Sequence, residues 1–65
     1  MAHSFGPEIK AILKRHGCTF ARPAKGDHEL WYSPITERKI LVDSGTKSRH
    51  TANAVMKQAG IDHKF

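Results

Sequence analysis

The chain has 65 residues, a single cysteine and a formal net charge of +5. A domain of this length buries only roughly 60% of the surface that its unfolded chain exposes, so its core is thin. Because Cys18 is the only cysteine, the composition excludes an internal disulfide and argues against a secreted scaffold. We therefore expect a cytoplasmic protein whose small core is supplemented by a partner subunit.

The charge and the histidine spacing narrow the possible partners. A basic chain suits a polyanion, most often nucleic acid, although many small domains are basic for solubility alone. No signal peptide, membrane span or membrane partner is expected, because no apolar run approaches the roughly 20 residues that a span needs. The histidines show no metal-ligand spacing, so neither a metal nor another cofactor is expected. They are His3, His16, His28, His50 and His63.

The first predicted element is a helix that begins at Gly6-Pro7-Glu8. Proline suits the first helical position, where its missing N–H would have no partner anyway. Gly17 is expected to end the helix in a left-handed conformation, which places Cys18 against Leu13. The helix has one apolar face with a spacing of three and four residues. Its members are Ile9, Ile12, Leu13 and His16.

Three short extended runs follow, and turn residues separate them. The first run, Thr19–Pro23, leads through the turn Lys25-Gly26-Asp27 into the second run, His28–Ser33. The turn Pro34–Glu37 then leads into the third run, Arg38–Asp43. The pattern predicts an antiparallel three-stranded sheet.

The last predicted element is a second helix, capped by Ser48 and ended by Gly60, beyond which Ile61 can close over Met56. Its apolar stripe is Ala52, Val55, Met56 and Ala59. The order predicts a single α+β domain over residues 1–65, α-β-β-β-α, with both helices on one face of the sheet. The loop of residues 44–47 is expected to be the most flexible interior segment.

The alternation of side chains along the second strand predicts which of them point away from the core. Trp31 is the largest hydrophobic residue and is expected to lie under the helices. His28, Leu30 and Tyr32 would then face outward, where an apolar pair beside a histidine is typical of a contact surface. The opposite assignment, with Leu30 and Tyr32 inside, stays open from the sequence.

His28 is the catalytic candidate that the residues themselves single out. It opens a strand beside a tight turn, and an imidazole titrates close to neutral pH, so it can give or take a proton. If the polyanion is RNA, its cleavage without a metal would need a base near the 2′-hydroxyl, an acid near the leaving 5′-oxygen and positive charge on the phosphate. One histidine fills one proton role, and water, Tyr32 or a lysine could fill the other. The alternative is a solvated hairpin residue.

Several segments together resemble one family of small bacterial proteins. They are Leu13-Lys14-Arg15-His16-Gly17, Lys25-Gly26-Asp27-His28, Trp31, Thr51 and Val55-Met56-Lys57-Gln58-Ala59-Gly60-Ile61. These segments cover most of the chain, and the last is the most specific. The chain is thus similar to the HicA family of small toxins from bacterial toxin–antitoxin pairs.

The resemblance implies a fold, an activity and a partner. The fold would be similar to a double-stranded RNA-binding domain, and the activity would be metal-independent endonucleolytic cleavage of mRNA with His28 in the catalytic position. A HicB-type antitoxin would neutralise the toxin in a hetero-oligomer. The chain departs from the family's pattern at Glu29, where many members carry a second histidine. It also departs in residues 43–50, which do not reproduce the usual proline- and histidine-bearing segment.

Basic residues near the hairpins are expected to bind RNA, and an apolar pair is expected to bind the partner. Leu30 and Tyr32 form the apolar pair. The RNA-binding residues are expected to surround the same hairpin ends, where they would hold phosphates without reading sequence. They are Arg22, Lys25, Gly26, Arg38 and Lys39.

Two other classes of function stay open. A non-catalytic RNA-binding module would bind RNA without cleaving it and would be indifferent to replacement of His28. A pure interaction protein would dock a partner on its open sheet face and would bind RNA weakly, with little dependence on salt.

Overall fold

The computed structural model describes residues 4–65 and has two helices and three strands. Their order is α1 (Gly6–Arg15), β1 (Thr19–Pro23), β2 (His28–Ser33), β3 (Arg38–Asp43) and α2 (Arg49–Ala59). The predicted α-β-β-β-α order is confirmed, as is the α+β class. None of the helices in this part of the chain is both long enough and apolar enough to span a membrane.

The sheet is antiparallel, and β2 is its central strand. Trp31 of β2 lies opposite Phe20 of β1 and Ile40 of β3. The β1–β2 register shifts between Phe20 and Arg22, which marks a bulge at Ala21. Within residues 4–65 each outer strand leaves one edge unpaired, so the sheet is open.

Both helices cover the same face of this sheet, as predicted. Trp31 is only 2% exposed, and Ile40 and Val42 of β3 are fully buried. These side chains form one cluster with the apolar faces of both helices, which bury Ile9 and Met56 completely. The prediction that Trp31 lies under the helices is therefore confirmed, and neither helix of the described chain covers the other sheet face.

Both helices end in the predicted glycine motif. Gly17 has φ +86°, and the N–H of Cys18 donates to the carbonyl of Leu13 at 2.9 Å. Gly60 has φ +77°, and the N–H of Ile61 reaches back into α2 in the same way. These bonds satisfy carbonyls that the ends of the helices would otherwise leave without partners.

The loop that was expected to be flexible is tied to the start of the chain. Ser4 donates its hydroxyl to the Ser44 carbonyl at 2.8 Å, and the N–H of Phe5 donates to the Thr46 carbonyl at 2.8 Å. Thr46 is buried. The loop therefore has long-range anchors that the local sequence does not indicate.

Candidate functional site

His28 is the first residue of β2 and is partly exposed at the rim of the sheet. Its backbone N–H and its ring Nδ1 both lie within hydrogen-bond distance of the Lys25 carbonyl, at 3.2 and 3.1 Å. The turn of residues 25–27 places this carbonyl, and Gly26 at its centre has φ +64°. The hairpin turn thereby fixes the orientation of the imidazole.

The hydrogen bond at Nδ1 decides which ring nitrogen can act on a substrate. A carbonyl oxygen only accepts, so Nδ1 carries the hydrogen and donates it to Lys25. In the neutral ring Nε2 then holds the lone pair, and in the charged ring it carries a second N–H. Nε2 has no hydrogen-bond partner within residues 4–65. The geometry suits proton transfer through Nε2.

Two carboxylates lie near this end of the sheet, and the sequence prediction missed them. Asp43 is the β3 partner of His28, and its Oδ1 accepts the N–H of Gly45 at 3.0 Å. A Cβ on Gly45 would lie 3.6 Å from Asp27 Oδ2 and 3.7 Å from Asp43 Oδ1. The sequence is sufficient to predict this pairing. A four-residue turn at 34–37 pairs residue 33 with residue 38, and counting five residues back along both strands places residue 28 opposite residue 43.

The uncovered face of the sheet carries the predicted apolar pair. Leu30 lies opposite Leu41 of β3, and Tyr32 lies opposite Lys39. Tyr32 is 37% exposed and Leu41 is 52% exposed. The prediction that Leu30 and Tyr32 face away from the helices is confirmed, and Leu41 extends the apolar surface beyond what was predicted.

The predicted RNA-binding residues do not lie together, so the expectation that they surround the same hairpin ends was wrong, while their binding of RNA stays a prediction. Arg22 and Lys25 lie at the His28 end, whereas Arg38 pairs with Ser33 at the far end of β2. Five residues of strand separate the two ends, which is roughly 17 Å. Lys39 faces outward beside Tyr32 at this far end. The error came from treating two successive turns as neighbours, although they lie at opposite ends of β2.

Glu29, the residue beside His28, faces the helices, and its carboxylate contacts side chains of β2 and α1. Its carboxylate accepts the Trp31 indole N–H at 3.0 Å and pairs with Lys10 of α1 at 3.1 Å. The Trp31 hydrogen bond first, and then Lys10, hold the pKa of Glu29 below its ordinary value. Glu29 therefore ties β2 to α1 and does not face the open surface.

The other histidines lie in or next to the helices or outside the described residues. The ring Nδ1 of His16 lies 2.9 Å from the Ile12 carbonyl at the end of α1. His50 and His63 line a groove of about 480 Å³ between α2 and the C-terminal segment. His3 lies outside the described residues. Across residues 4–65, no three histidine, cysteine or acidic side chains lie close enough together to hold a metal ion.

Comparison with known proteins identifies the family to which the chain belongs. Neither a curated protein nor a solved structure matches the chain. The sequence profile of one family, described as the HicA toxin of bacterial toxin–antitoxin systems, matches residues 6–61. The match runs from the first residue of α1 to the residue that closes α2, so it covers the whole fold. The chain belongs to the HicA toxin family and is the toxin of a toxin–antitoxin pair.

Proposed function

We propose that this toxin is a metal-independent ribonuclease that cleaves mRNA, with His28 as its acid–base group. The observation that carries the proposal is the fixed imidazole. Nδ1 is bound to the Lys25 carbonyl at 3.1 Å, and Nε2 is left for a substrate at the rim of an uncovered sheet. Family membership supports the toxin role, and the formal net charge of +5 supports a polyanionic substrate.

In the proposed reaction the RNA supplies its own nucleophile. The 2′-oxygen forms a bond to the adjacent phosphorus as Nε2 of neutral His28 takes the hydroxyl proton. The bond from phosphorus to the 5′-oxygen breaks, and that oxygen takes a proton from water or a lysine. The products are a 2′,3′-cyclic phosphate and a 5′-hydroxyl. Acid–base catalysis by one group supplies about 10²–10⁴-fold, so the enzyme is slow.

The strand geometry narrows the choice of a second proton-transfer group. Tyr32 shares a face with His28 but lies four residues along β2, roughly 13 Å away. That separation is too long for both groups to act on one phosphate. Lys25 lies at the same end of the sheet as His28. Lys25 or water is therefore the better candidate for the leaving 5′-oxygen.

RNA is proposed to cross the sheet from the His28 end to the far end. Arg22, Lys25 and the backbone at Gly26 would hold phosphates next to the cleaved bond. Arg38 and Lys39 would hold the RNA backbone farther along. These contacts position the RNA without reading its sequence. The carboxylates of Asp27 and Asp43 make the His28 end less cationic than its lysine and arginine suggest.

The partner is proposed to be a HicB-type antitoxin that covers the open sheet face. Leu30, Tyr32 and Leu41 form an apolar surface there, next to His28. Tyr32→Lys should weaken antitoxin binding because it buries an unpaired charge in the interface. Ile35→Lys is the matched control, since Ile35 is 50% exposed in the turn beyond the strands. Equal binding by wild type and Tyr32→Lys would refute the proposed surface.

The decisive experiment compares His28→Ala with His16→Ala. Both histidines have Nδ1 within hydrogen-bond distance of a backbone carbonyl, but His16 lies at the end of α1, away from the open face. Purified variants are incubated with a long single-stranded RNA, with and without EDTA, and their folding is checked by circular dichroism. We expect cleavage to be lost in His28→Ala, retained in His16→Ala and unaffected by EDTA, while RNA binding persists in both variants.

Each other result has a definite meaning. Undiminished cleavage by a folded His28→Ala variant refutes the role of His28. Loss of wild-type cleavage in EDTA refutes the metal-independent mechanism. Tight RNA binding by the wild type without any cleavage would identify a non-catalytic RNA-binding module instead.

A further inference from the structure

The bulge in β1 places two residues that are close in sequence on opposite faces of the sheet. Phe20 lies opposite Trp31, on the helix side, and Arg22 lies opposite Leu30, on the open side. In a regular strand residues 20 and 22 would share one face. The extra residue, Ala21, reverses the alternation between them. Because β1 is an edge strand, both side chains lie at the margin of the sheet, with the aromatic ring on the helix face and the cation on the open face.

Phe20 is an aromatic residue that the core does not cover. It is 49% exposed, although it lies on the face that the helices pack against. Its ring meets the buried Trp31 edge to face, with centroids 6.1 Å apart and planes at 79°. This contact holds the ring in place and leaves about half of the side chain open to solvent.

Positive charge lies close to this ring along the chain. Arg22 follows it on the other face of β1. An exposed aromatic ring with a cation close by on the same strand is a combination that binds unpaired bases and their phosphates.

We propose that Phe20 stacks on an unpaired base of single-stranded RNA that passes over the β1 edge. The bulge lets Arg22 hold a phosphate of the same strand while the base lies against Phe20. The β1–β2 hairpin then carries the RNA toward His28 at its turn. The inference rests on the proposed function, since it assigns the RNA a path to the cleavage site. It also indicates single-stranded RNA as the substrate, because a paired base is already stacked within its helix and presents no free face.

The test measures binding rather than cleavage, in the His28→Ala background, so that the RNA stays intact. The ligands are a short oligoadenylate and a sugar–phosphate oligomer of equal length that lacks bases. Phe20→Leu should weaken oligoadenylate binding by between about fivefold and about 150-fold, the range for the loss of one aromatic stack. It should leave binding of the base-free oligomer unchanged. Phe20→Tyr, which keeps an aromatic ring, should restore oligoadenylate binding.

Arg22→Ala is the matched control at the same strand edge. It should lower the affinity for both ligands equally. It should also reduce the slope of log affinity against log salt concentration for oligoadenylate by about 0.7, the value for one lost phosphate contact. Phe20→Leu should leave that slope unchanged. Urea unfolding of each variant separates a loss of binding from a loss of folding.

Three results would overturn the inference. One is equal oligoadenylate binding by Phe20→Leu and its parent. Another is an equal loss of affinity for oligoadenylate and for the base-free oligomer in Phe20→Leu. The third is a loss of antitoxin binding, without a loss of RNA binding, in Phe20→Leu, which would make the ring a protein contact. If the His28→Ala parent binds neither ligand, the proposed RNA function itself fails, so the two failures are distinguishable.

Discussion

Replacing Gly60 by alanine should destabilise the fold more than the same change at Gly17. Both glycines end a helix with positive φ, +77° and +86°. Alanine in that conformation costs about 1–2 kcal/mol, partly offset by about 0.4–1 kcal/mol from the stiffer unfolded chain, so about 1 kcal/mol remains. At Gly17 that is the whole effect, because a Cβ there would meet only Pro34 Cγ at 3.8 Å.

Gly60 carries a steric cost in addition. A Cβ there would lie 2.7 Å from Ile35 Cγ2 and 2.9 Å from Thr36 Cγ2. Overpacking of this kind costs about 1–3 kcal/mol, and the 50% exposure of Ile35 lets it move and favours the lower half of that range. Gly60→Ala should therefore cost about 2–3 kcal/mol against about 1 kcal/mol for Gly17→Ala.

Urea unfolding followed by far-UV circular dichroism measures both variants. A domain of 65 residues has a total stability of about 3–10 kcal/mol, so Gly17→Ala should fold, and Gly60→Ala should unfold at a clearly lower urea concentration. Thermal unfolding should shift by roughly 4–8 °C for each kcal/mol. Equal destabilisation by the two changes would mean that the β2–β3 turn does not pack against Gly60, and the reasoning would fail.

Two further predictions concern the helix side of the sheet. Trp31→Ala should cost about 3–5 kcal/mol, since the ring is buried, whereas Tyr32→Ala on the open face should cost far less; similar losses would mean that the faces are reversed. Because the pKa of Glu29 is lowered in the folded state, its contribution to stability is present above the ordinary value of 4.5 and is lost as the pH falls below it. Glu29→Gln should therefore show a weaker fall in stability between about pH 5 and pH 3, and an unchanged acid profile would contradict the role of the carboxylate.

The parts of the fold that the sequence predicts correctly depend on local chemistry. Gly17 and Gly60 end their helices because glycine adopts positive φ without strain. Ser48 caps α2 by accepting a hydrogen bond from the Thr51 N–H at 3.2 Å, and the two residues are only three positions apart in the sequence. Trp31 is placed correctly because alternation along one regular strand needs no knowledge of the neighbouring strands.

The parts that the sequence does not predict depend on pairing between distant segments. The bulge at Ala21 carries no glycine or proline signal, so alternation assigns Phe20 and Arg22 to one face, whereas the structure divides them. Arg38 and Lys25 both lie beside a turn, but only the pairing of the strands shows that the two turns lie at opposite ends of β2. The pairing of Lys10 with Glu29 requires the position of α1 over β2, which no local pattern specifies.

The division between the two sheet faces also bears on the departure from the family's pattern at Glu29. Residues 28 and 29 point to opposite faces because side chains alternate along β2. A histidine at position 29 of this backbone would face Trp31 and Lys10, and not a phosphate beside His28. The glutamate therefore removes no acid–base group from the open face. It supplies an acceptor for the indole N–H of Trp31, which would otherwise face the helices without this partner. The departure at position 29 thus concerns the stability of the fold, and the case for catalysis depends on His28 and its hairpin.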